Sequence, residues 1–178
     1  PKVQSAAELD ALARALDAAG APPALPLWAM AETPLGFLRL DAIAGAHPRL
    51  AAIVVGTSDL VKDLRARHTP ERHETLLARS LAVLAARAHG LAVLDGVHLE
   101  LDDDAGLATA CQQGRDLGFD GKTLIHPKQI AAANAAFAPT EAELTSARKR
   151  LEAWRAAQAA GQGVAVVDGA LVENLHAR

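Results

Sequence analysis

Short apolar runs alternate with longer stretches of helical character along most of this chain. The runs lie at residues 25–30, 50–56, 91–97 and 122–125. Their apolar residues are consecutive rather than alternating, which is typical of strands covered on both faces. Each run is followed by a stretch with apolar residues at helical spacing, ending at a glycine or a proline. The pattern therefore predicts four successive βα units before the chain reaches Ala138.

Repeated βα units indicate a parallel sheet, which is either doubly wound or closed into a barrel. No G-x-G-x-x-G sequence follows any of the four runs, so a dinucleotide-binding doubly wound fold is disfavoured. The sequence favours a (β/α)₈ TIM barrel. Such a barrel needs eight strands and about 250 residues, so these four units account for half of one.

The last quarter of the chain has a different pattern. Thr140 and Glu143 form a capping box before a charged helix that ends near Gly161. The run VAVVDGALV predicts a hairpin that turns at Asp168-Gly169. We therefore predict a barrel part at 1–137 and an extension of a helix and a hairpin at 138–178. A similar box at Ser5 and Glu8 predicts the start of the first helix.

Composition excludes several classes of protein. Hydrophobic residues make up 51% and charged residues 22% of the chain, as in ordinary globular proteins. A net charge of −3 and the absence of a basic stripe argue against nucleic-acid binding. No apolar run approaches the roughly 20 residues that cross a bilayer. The single cysteine, Cys111, cannot form an internal disulfide, so we expect a cytoplasmic protein without membrane partners.

Polar residues follow the predicted strands, where a barrel carries its chemistry. Glu32 and Asp59 each come shortly after a strand, and these two strands are consecutive, so both carboxylates are expected on loops at one rim. Two carboxylates, with water and substrate oxygens, are how Mg²⁺ is usually held. The alternative is that Asp59 caps a turn and Glu32 is solvated or forms a salt bridge.

Other polar residues are ambiguous. His126 and Gln129 lie where the fourth strand ends, where they are expected to help shape the substrate pocket. The alternative for His126 is that it only hydrogen-bonds and orders the neighbouring loops. Asp95-Gly96 either supports the pocket or forms a turn. The three acids Asp102 to Asp104 are better explained as a helix cap than as a second metal site.

Four motifs, in this order, carry a resemblance to a known family: AETPLG, VVGTSDL, VLDGV and GFDGKTLIHPKQI. Together they resemble the citrate lyase beta-subunit family, whose relatives include malyl-CoA and citramalyl-CoA lyases among the HpcH/HpaI-type aldolases. The resemblance covers essentially the whole chain and places PKV, residues 1–3, at the end of the fourth barrel strand. It implies that an active-site arginine lies in the other half of the barrel. We expect either that the polypeptide is longer, or that this is a non-catalytic half-barrel that needs a partner chain.

The resemblance also implies an activity. It implies a lyase that cleaves a 3-hydroxyacyl-CoA of citryl, malyl or citramalyl type into an acyl-CoA and an α-keto acid. Mg²⁺, with Mn²⁺ as an alternative, would be bound by Glu32 and Asp59, and Glu32, His126 and Gln129 would contact the substrate. A homo-oligomer, trimeric or hexameric, is expected. A malyl-CoA thioesterase or a malate-synthase-like activity at the same site is the alternative.

Glu173 departs from the family's pattern. The resembling proteins end in a run like DGxMxD, whose last Asp acts in catalysis over the barrel of a neighbouring subunit. The corresponding run here is DGALVEN, so the resemblance implies that Glu173 is the catalytic base. The alternative is that Glu173 only begins a terminal helix at 174–178.

Overall fold

The computed structural model describes residues 1–174. The helices are α1 (Ala6–Ala18), α2 (Pro34–Leu38), α3 (Leu40–Ala44), α4 (Thr57–Asp63), α5 (Leu76–Ala88), α6 (Asp104–Leu117), α7 (Ile130–Phe137) and α8 (Glu141–Ala159). The strands are β1 (Leu27–Ala31), β2 (Leu50–Val55), β3 (Ala92–Asp95), β4 (Gly121–Lys122), β5 (Ala165–Val167) and β6 (Ala170–Val172). Short 3₁₀ helices lie at His73–Thr75 and Pro127–Gln129. None of the helices within 1–174 has the length and apolar character that a membrane span requires.

Four parallel strands form the main sheet in the order β1-β2-β3-β4. Ala31 pairs with Val55, and Leu94 pairs with Gly121. The strand order follows the chain without reversal, and crossovers between parallel strands are almost always right-handed, so the connecting helices lie on one face. A doubly wound sheet would reverse its order. The sheet is therefore the open half of the barrel that the sequence predicts.

The core lies between this sheet and its helices. Leu27 and Ile53 of the sheet pack with Leu9 of α1 and Ile43 of α3, and all four are buried. The alternate positions of β1 face the other way, and 61% of Trp28 is exposed there. One face of the sheet is thus covered by helices, while the face that would line a barrel carries an exposed tryptophan.

The chain folds as two compact units, residues 1–137 and residues 138–178. In the second unit Trp154 of α8 packs on Val167 and Val172 of the β5–β6 hairpin. Thr140 and Glu143 form the predicted capping box. The hairpin turns through Asp168 and Gly169, both at positive φ, as two-residue hairpin loops require.

The predicted strand at 122–125 is wrong beyond Lys122. Thr123 gives both its N–H and its hydroxyl to the carbonyl of Asp95, at 2.9 and 3.0 Å. The N–H of Ile125 then donates to the side chain of Gln129 at 3.1 Å instead of to a strand. The chain leaves the sheet at this point, and Ile125 is 50% exposed rather than buried.

The helix α1 begins where the sequence predicts it, with Ser5 as the N-cap residue. The predicted capping box does not form there: the Ser5 side chain makes no cap hydrogen bond, and the Glu8 side chain accepts from the N–H of Gln4 at 2.8 Å. The helix α5 begins only at Leu76, although Thr69-Pro70-Glu71 is a sequence typical of a helix start. Arg72 has a left-handed backbone, and this conformation interrupts the helical geometry just before the 3₁₀ turn.

Candidate metal site at the carboxyl edge of the sheet

Glu32 lies directly after β1 and is buried, with 5% of its surface exposed. Its Oε1 accepts the N–H of Lys2 at 2.8 Å. The neighbouring strand leaves room for its carboxylate, because β2 is followed by Gly56. A methyl group at Gly56 would lie 2.5 Å from Glu32 Cβ and 2.7 Å from Oε2. Glycine at position 56 is therefore a condition for the position of Glu32.

Asp59 lies in the first turn of α4 and not in the loop that the sequence suggested. Its Oδ1 accepts from the Lys2 ammonium at 2.8 Å. This hydrogen bond is the main reason that the pKa of Asp59 lies below its ordinary value. Lys2 contacts both carboxylates, Asp59 through its ammonium and Glu32 through its backbone N–H. The structure thus brings together the two carboxylates that the sequence proposed as a pair.

The pair suits a hard cation that keeps most of its water. Among residues 1–174 no group of three or more His, Cys, Asp and Glu side chains is placed to hold a metal ion. Mg²⁺ does not need such a cage, because it binds through one or two carboxylates together with water and substrate oxygens. In the structure Asp59 already accepts a hydrogen bond from the Lys2 ammonium, and Glu32 accepts one from the Lys2 N–H. The residues present therefore fit Mg²⁺, which Glu32 and Asp59 would hold.

A buried ion pair lies beside this site at the end of β3. Both terminal guanidinium nitrogens of Arg72 donate to the carboxylate of Asp95, each at 2.7 Å. Asp95 has no exposed surface, and the Arg72 side chain is 12% exposed. Burial acts to raise the pKa of Asp95, but the hydrogen bonds from Arg72 and the charge of Lys122 outweigh it, and the pKa lies below its ordinary value. Asp95 is therefore a buried carboxylate that remains ionised.

Lys122 of β4 is fully buried against the same carboxylate. Its ammonium is 3.4 Å from Asp95 Oδ2 and donates to the carbonyl of Gly96. Burial lowers the pKa of Lys122, and the charge of Asp95 opposes this effect in part. Neither Arg72 nor Lys122 was among the site residues predicted from the sequence. The only indication in the sequence was Asp95-Gly96, which follows an apolar strand and so predicts a polar residue at the carboxyl edge.

A cavity of about 340 Å³ adjoins this edge. Its walls come from the start of α4, the segment 68–75, the segment 97–103 and α6. Thr57 lies in the wall and is close in sequence to Asp59. Glu32 and Asp59 do not line this cavity, so it is connected to the carboxylate pair only through Thr57 at the start of α4.

His126 and Gln129 occupy different environments. His126 is exposed and caps the 3₁₀ helix, because its Nδ1 accepts the N–H of Lys128 at 3.2 Å. Gln129 is buried, and its amide accepts from Ile125 N–H and donates to the carbonyl of His98, both at 3.1 Å. The His126 contact orders its own loop, which is the alternative expected for that residue. The contacts of Gln129 also join two loops.

The remaining candidates lie elsewhere. Asp103 caps α6, since its side chain accepts the N–H of Gly106 at 2.8 Å, as expected for an acid at a helix start. Glu173 directly follows β6 in the second unit and is partly buried. The terminal helix proposed at 174–178 falls almost wholly outside the described residues.

An open half of a β/α barrel with polar side chains at its carboxyl edge is typical of barrel enzymes, whose active sites lie at that edge. Residues 1–127 match the family model described as HpcH/HpaI aldolase/citrate lyase. The chain belongs to this family, which confirms both the resemblance and the predicted barrel fold.

Relatives and solved structures agree with this assignment. The chain is 52% identical over 176 residues to a (3S)-malyl-CoA thioesterase of Cereibacter sphaeroides, and the match covers 99% of this chain and 59% of that protein. It is 39% identical over 152 residues to the citrate lyase beta subunit of Escherichia coli, covering 85% of this chain and 50% of the relative. The crystal structure of CitE from Mycobacterium tuberculosis, in complex with magnesium, acetoacetate and coenzyme A, superposes with a TM-score of 0.75 at 30% identity, over 99% of this chain and 64% of that one. The chain therefore spans between half and two thirds of the proteins that it matches.

Proposed function

We propose that the chain supplies the metal-binding part of a Mg²⁺-dependent lyase that cleaves a 3-hydroxyacyl-CoA into an acyl-CoA and an α-keto acid. The observation that carries the proposal is the Glu32–Asp59 pair, because both carboxylates converge at the carboxyl edge of a β/α sheet. The magnesium, acetoacetate and coenzyme A bound to the mycobacterial relative support the same chemistry.

Each residue has a defined task in this proposal. Glu32 and Asp59 would hold the cation, and Gly56 leaves the space that the Glu32 carboxylate occupies. The bound cation would supply Lewis acidity toward the keto-acid oxygens. Thr57 and the segment 97–103 would border the substrate, since they line the adjoining cavity. His126 and Gln129 would contribute by holding the loops that face the substrate.

Glu173 is proposed as the general base, acting on a neighbouring subunit within a homo-oligomer. It would remove the hydroxyl proton, so that the carbon–carbon bond breaks and the electron pair passes to the acyl-CoA carbon. The resulting thioester enolate then takes up a proton from water to give the acyl-CoA. Changing Glu173→Gln should lower turnover of malyl-CoA and citramalyl-CoA by about 100- to 10,000-fold, the usual contribution of a general base. Metal affinity should be retained, and wild-type turnover on both substrates would contradict the role.

The metal assignment is tested by titrating MgCl₂ and MnCl₂ into the protein expressed from its own gene. Glu32→Gln and Asp59→Asn should each weaken affinity by at least the roughly 10- to 100-fold that changes around a metal ligand cost. Asp63→Asn is the matched control, because it removes the same charge from the other end of α4. Unchanged affinity in both ligand variants would refute the site.

Hydrolysis of malyl-CoA at the same site is a second candidate. The 52% identity to a malyl-CoA thioesterase favours it, since the identity to the citrate lyase beta subunit is 39%. Hydrolysis would need water at the thioester carbonyl instead of cleavage between carbons.

The two reactions give different products from malyl-CoA. The lyase releases glyoxylate and acetyl-CoA and frees no thiol. The thioesterase consumes one water and releases malate and the free thiol of CoA. A thiol reagent and an assay for glyoxylate, used on the same reaction, therefore distinguish the two candidates.

A further inference from the structure

Gly96 lies in contact with the first residue of α4. A methyl group at Gly96 would lie 2.5 Å from both Cγ2 and Oγ1 of Thr57, closer than real side chains approach. The backbone of Gly96 is not left-handed, so alanine would be acceptable there apart from this contact. Thr57 is buried and begins the helix whose first turn carries Asp59.

Buried charged groups hold both sides of Gly96. Its N–H donates to Asp95 Oδ1 at 2.8 Å. Its carbonyl accepts from the ammonium of Lys122. Asp95 is in turn held by the two hydrogen bonds from Arg72. The position of Gly96 is therefore determined by an ion cluster in which Asp95 and Lys122 have no exposed side-chain surface.

We propose that Asp95 and Lys122 are positioning residues for the candidate metal site. They fix Gly96 against Thr57, and this contact sets where the first turn of α4, and with it Asp59, stands relative to Glu32. The inference rests on the proposed role of Glu32 and Asp59 as metal ligands. It gives a role to a buried cluster that the proposed chemistry itself does not use.

Gly96→Ala tests the contact without removing a charge. The added methyl group displaces Thr57, so we expect Mn²⁺ affinity to fall by about 10- to 100-fold, as for changes that act on a metal through its ligands. The double variant Gly96→Ala/Thr57→Ala should recover most of this loss, because it removes the two atoms at 2.5 Å and leaves only Thr57 Cβ, 3.0 Å from the methyl group. Gly163→Ala is the control, since a methyl group there meets nothing within 4 Å.

Lys122→Met tests the hydrogen bond from the Lys122 ammonium to the carbonyl of Gly96. Methionine has a similar length and no charge, so we expect the folded protein to persist while Mn²⁺ affinity falls, by less than in Gly96→Ala. Hydrogen exchange of the amides at 57–60, measured without metal, should be faster in Gly96→Ala and in Lys122→Met than in wild type. It should return toward the wild-type rate in the double variant.

The outcomes separate the two proposals. If wild type binds no Mn²⁺, the proposed metal function fails, and the exchange rates at 57–60 alone decide whether the cluster fixes α4. Unchanged exchange and unchanged affinity in Gly96→Ala would overturn the positioning role. An equal loss of affinity in the single and the double variant would also overturn it, because the loss would then not pass through Thr57.

Discussion

Two aspartate–arginine pairs lie at opposite ends of the strands of the main sheet, one at the carboxyl ends and one at the amino ends. At the carboxyl edge Arg72 binds Asp95 through two hydrogen bonds of 2.7 Å. At the amino edge Arg87 binds Asp120 through two hydrogen bonds of 2.8 and 3.0 Å. The pairs have the same chemistry and nearly the same geometry, so what distinguishes them is their surroundings.

Burial is the main difference. Asp95 is fully buried beside the ammonium of Lys122, whereas Asp120 and Arg87 have 41% and 47% of their side chains exposed. In both aspartates burial acts to raise the pKa, and hydrogen bonds from an arginine lower it below the ordinary value. The contribution of such a pair to the free energy of folding therefore depends on whether water can reach the charged residue that remains when its partner is removed. At the amino edge water replaces the lost partner, and at the carboxyl edge nothing does.

The largest effect is expected from Asp95→Asn. It leaves Arg72 and Lys122 buried without a compensating negative charge, and breaking a buried pair in this way costs about 3–5 kcal/mol. The free energy of unfolding in urea is the measurement. Asp120→Asn is the matched variant, and a similar loss in both would contradict the role given to burial.

Acid should weaken the carboxyl edge next. The folded-state pKa of Asp95 is depressed, so its contribution to stability is fully present above the unfolded value of about 3.9 and is lost as the pH falls through the folded pKa. Urea unfolding of wild type between pH 7 and pH 3 should show this loss. Asp95→Asn should show a shallower decline, and parallel curves for the two proteins would refute the assignment.

The amino edge should give a smaller effect that depends on salt. Asp120→Asn removes an exposed pair, which is worth about 0.2–1 kcal/mol, and its amide oxygen can still accept from Val93 N–H. The difference from wild type should shrink in 1 M NaCl, because exposed charges are then screened. A loss that is independent of salt would indicate that packing, and not charge, holds this edge.

The smallest change in stability is expected from Lys2→Met. Lys2 and Asp59 form an exposed pair, and such pairs contribute little to folding. The variant should instead bind MgCl₂ more tightly, by less than about tenfold, because a cation no longer competes for Asp59 across screened solvent. Calorimetric titration is the measurement, and weaker binding would mean that Lys2 supports the metal instead.

The sequence predicted those features that depend on local pattern. The strand order, the half barrel and the pairing of Glu32 with Asp59 follow from apolar runs and from the residues after them. The buried cluster was not predictable in this way, because Arg72 reaches Asp95 across 23 residues from a turn with a left-handed backbone. The strand expected at 122–125 failed for a related reason. Two apolar residues indicated burial, but the N–H of Ile125 pairs with the Gln129 side chain instead of a strand, and Ile125 is 50% exposed.

Helix capping shows the same limit on a smaller scale. Thr140 and Ser5 have equivalent sequence patterns, yet only Thr140 forms the box. Near Ser5 the glutamate finds another donor in the N–H of Gln4. A sequence pattern indicates which groups can form a capping box, but which hydrogen bonds form depends on the neighbouring backbone donors.

The two tryptophans lie in different environments, so their intrinsic fluorescence can report on the open face of the sheet. Trp28 stands 61% exposed on the open face of β1, and Trp154 is buried in the helix–hairpin unit. Their fluorescence emission should therefore differ in wavelength, with Trp28 emitting to the red. Any polypeptide that comes to cover the open face of the sheet should shift the emission of Trp28 to the blue and protect it from acrylamide, while Trp154 serves as an internal reference.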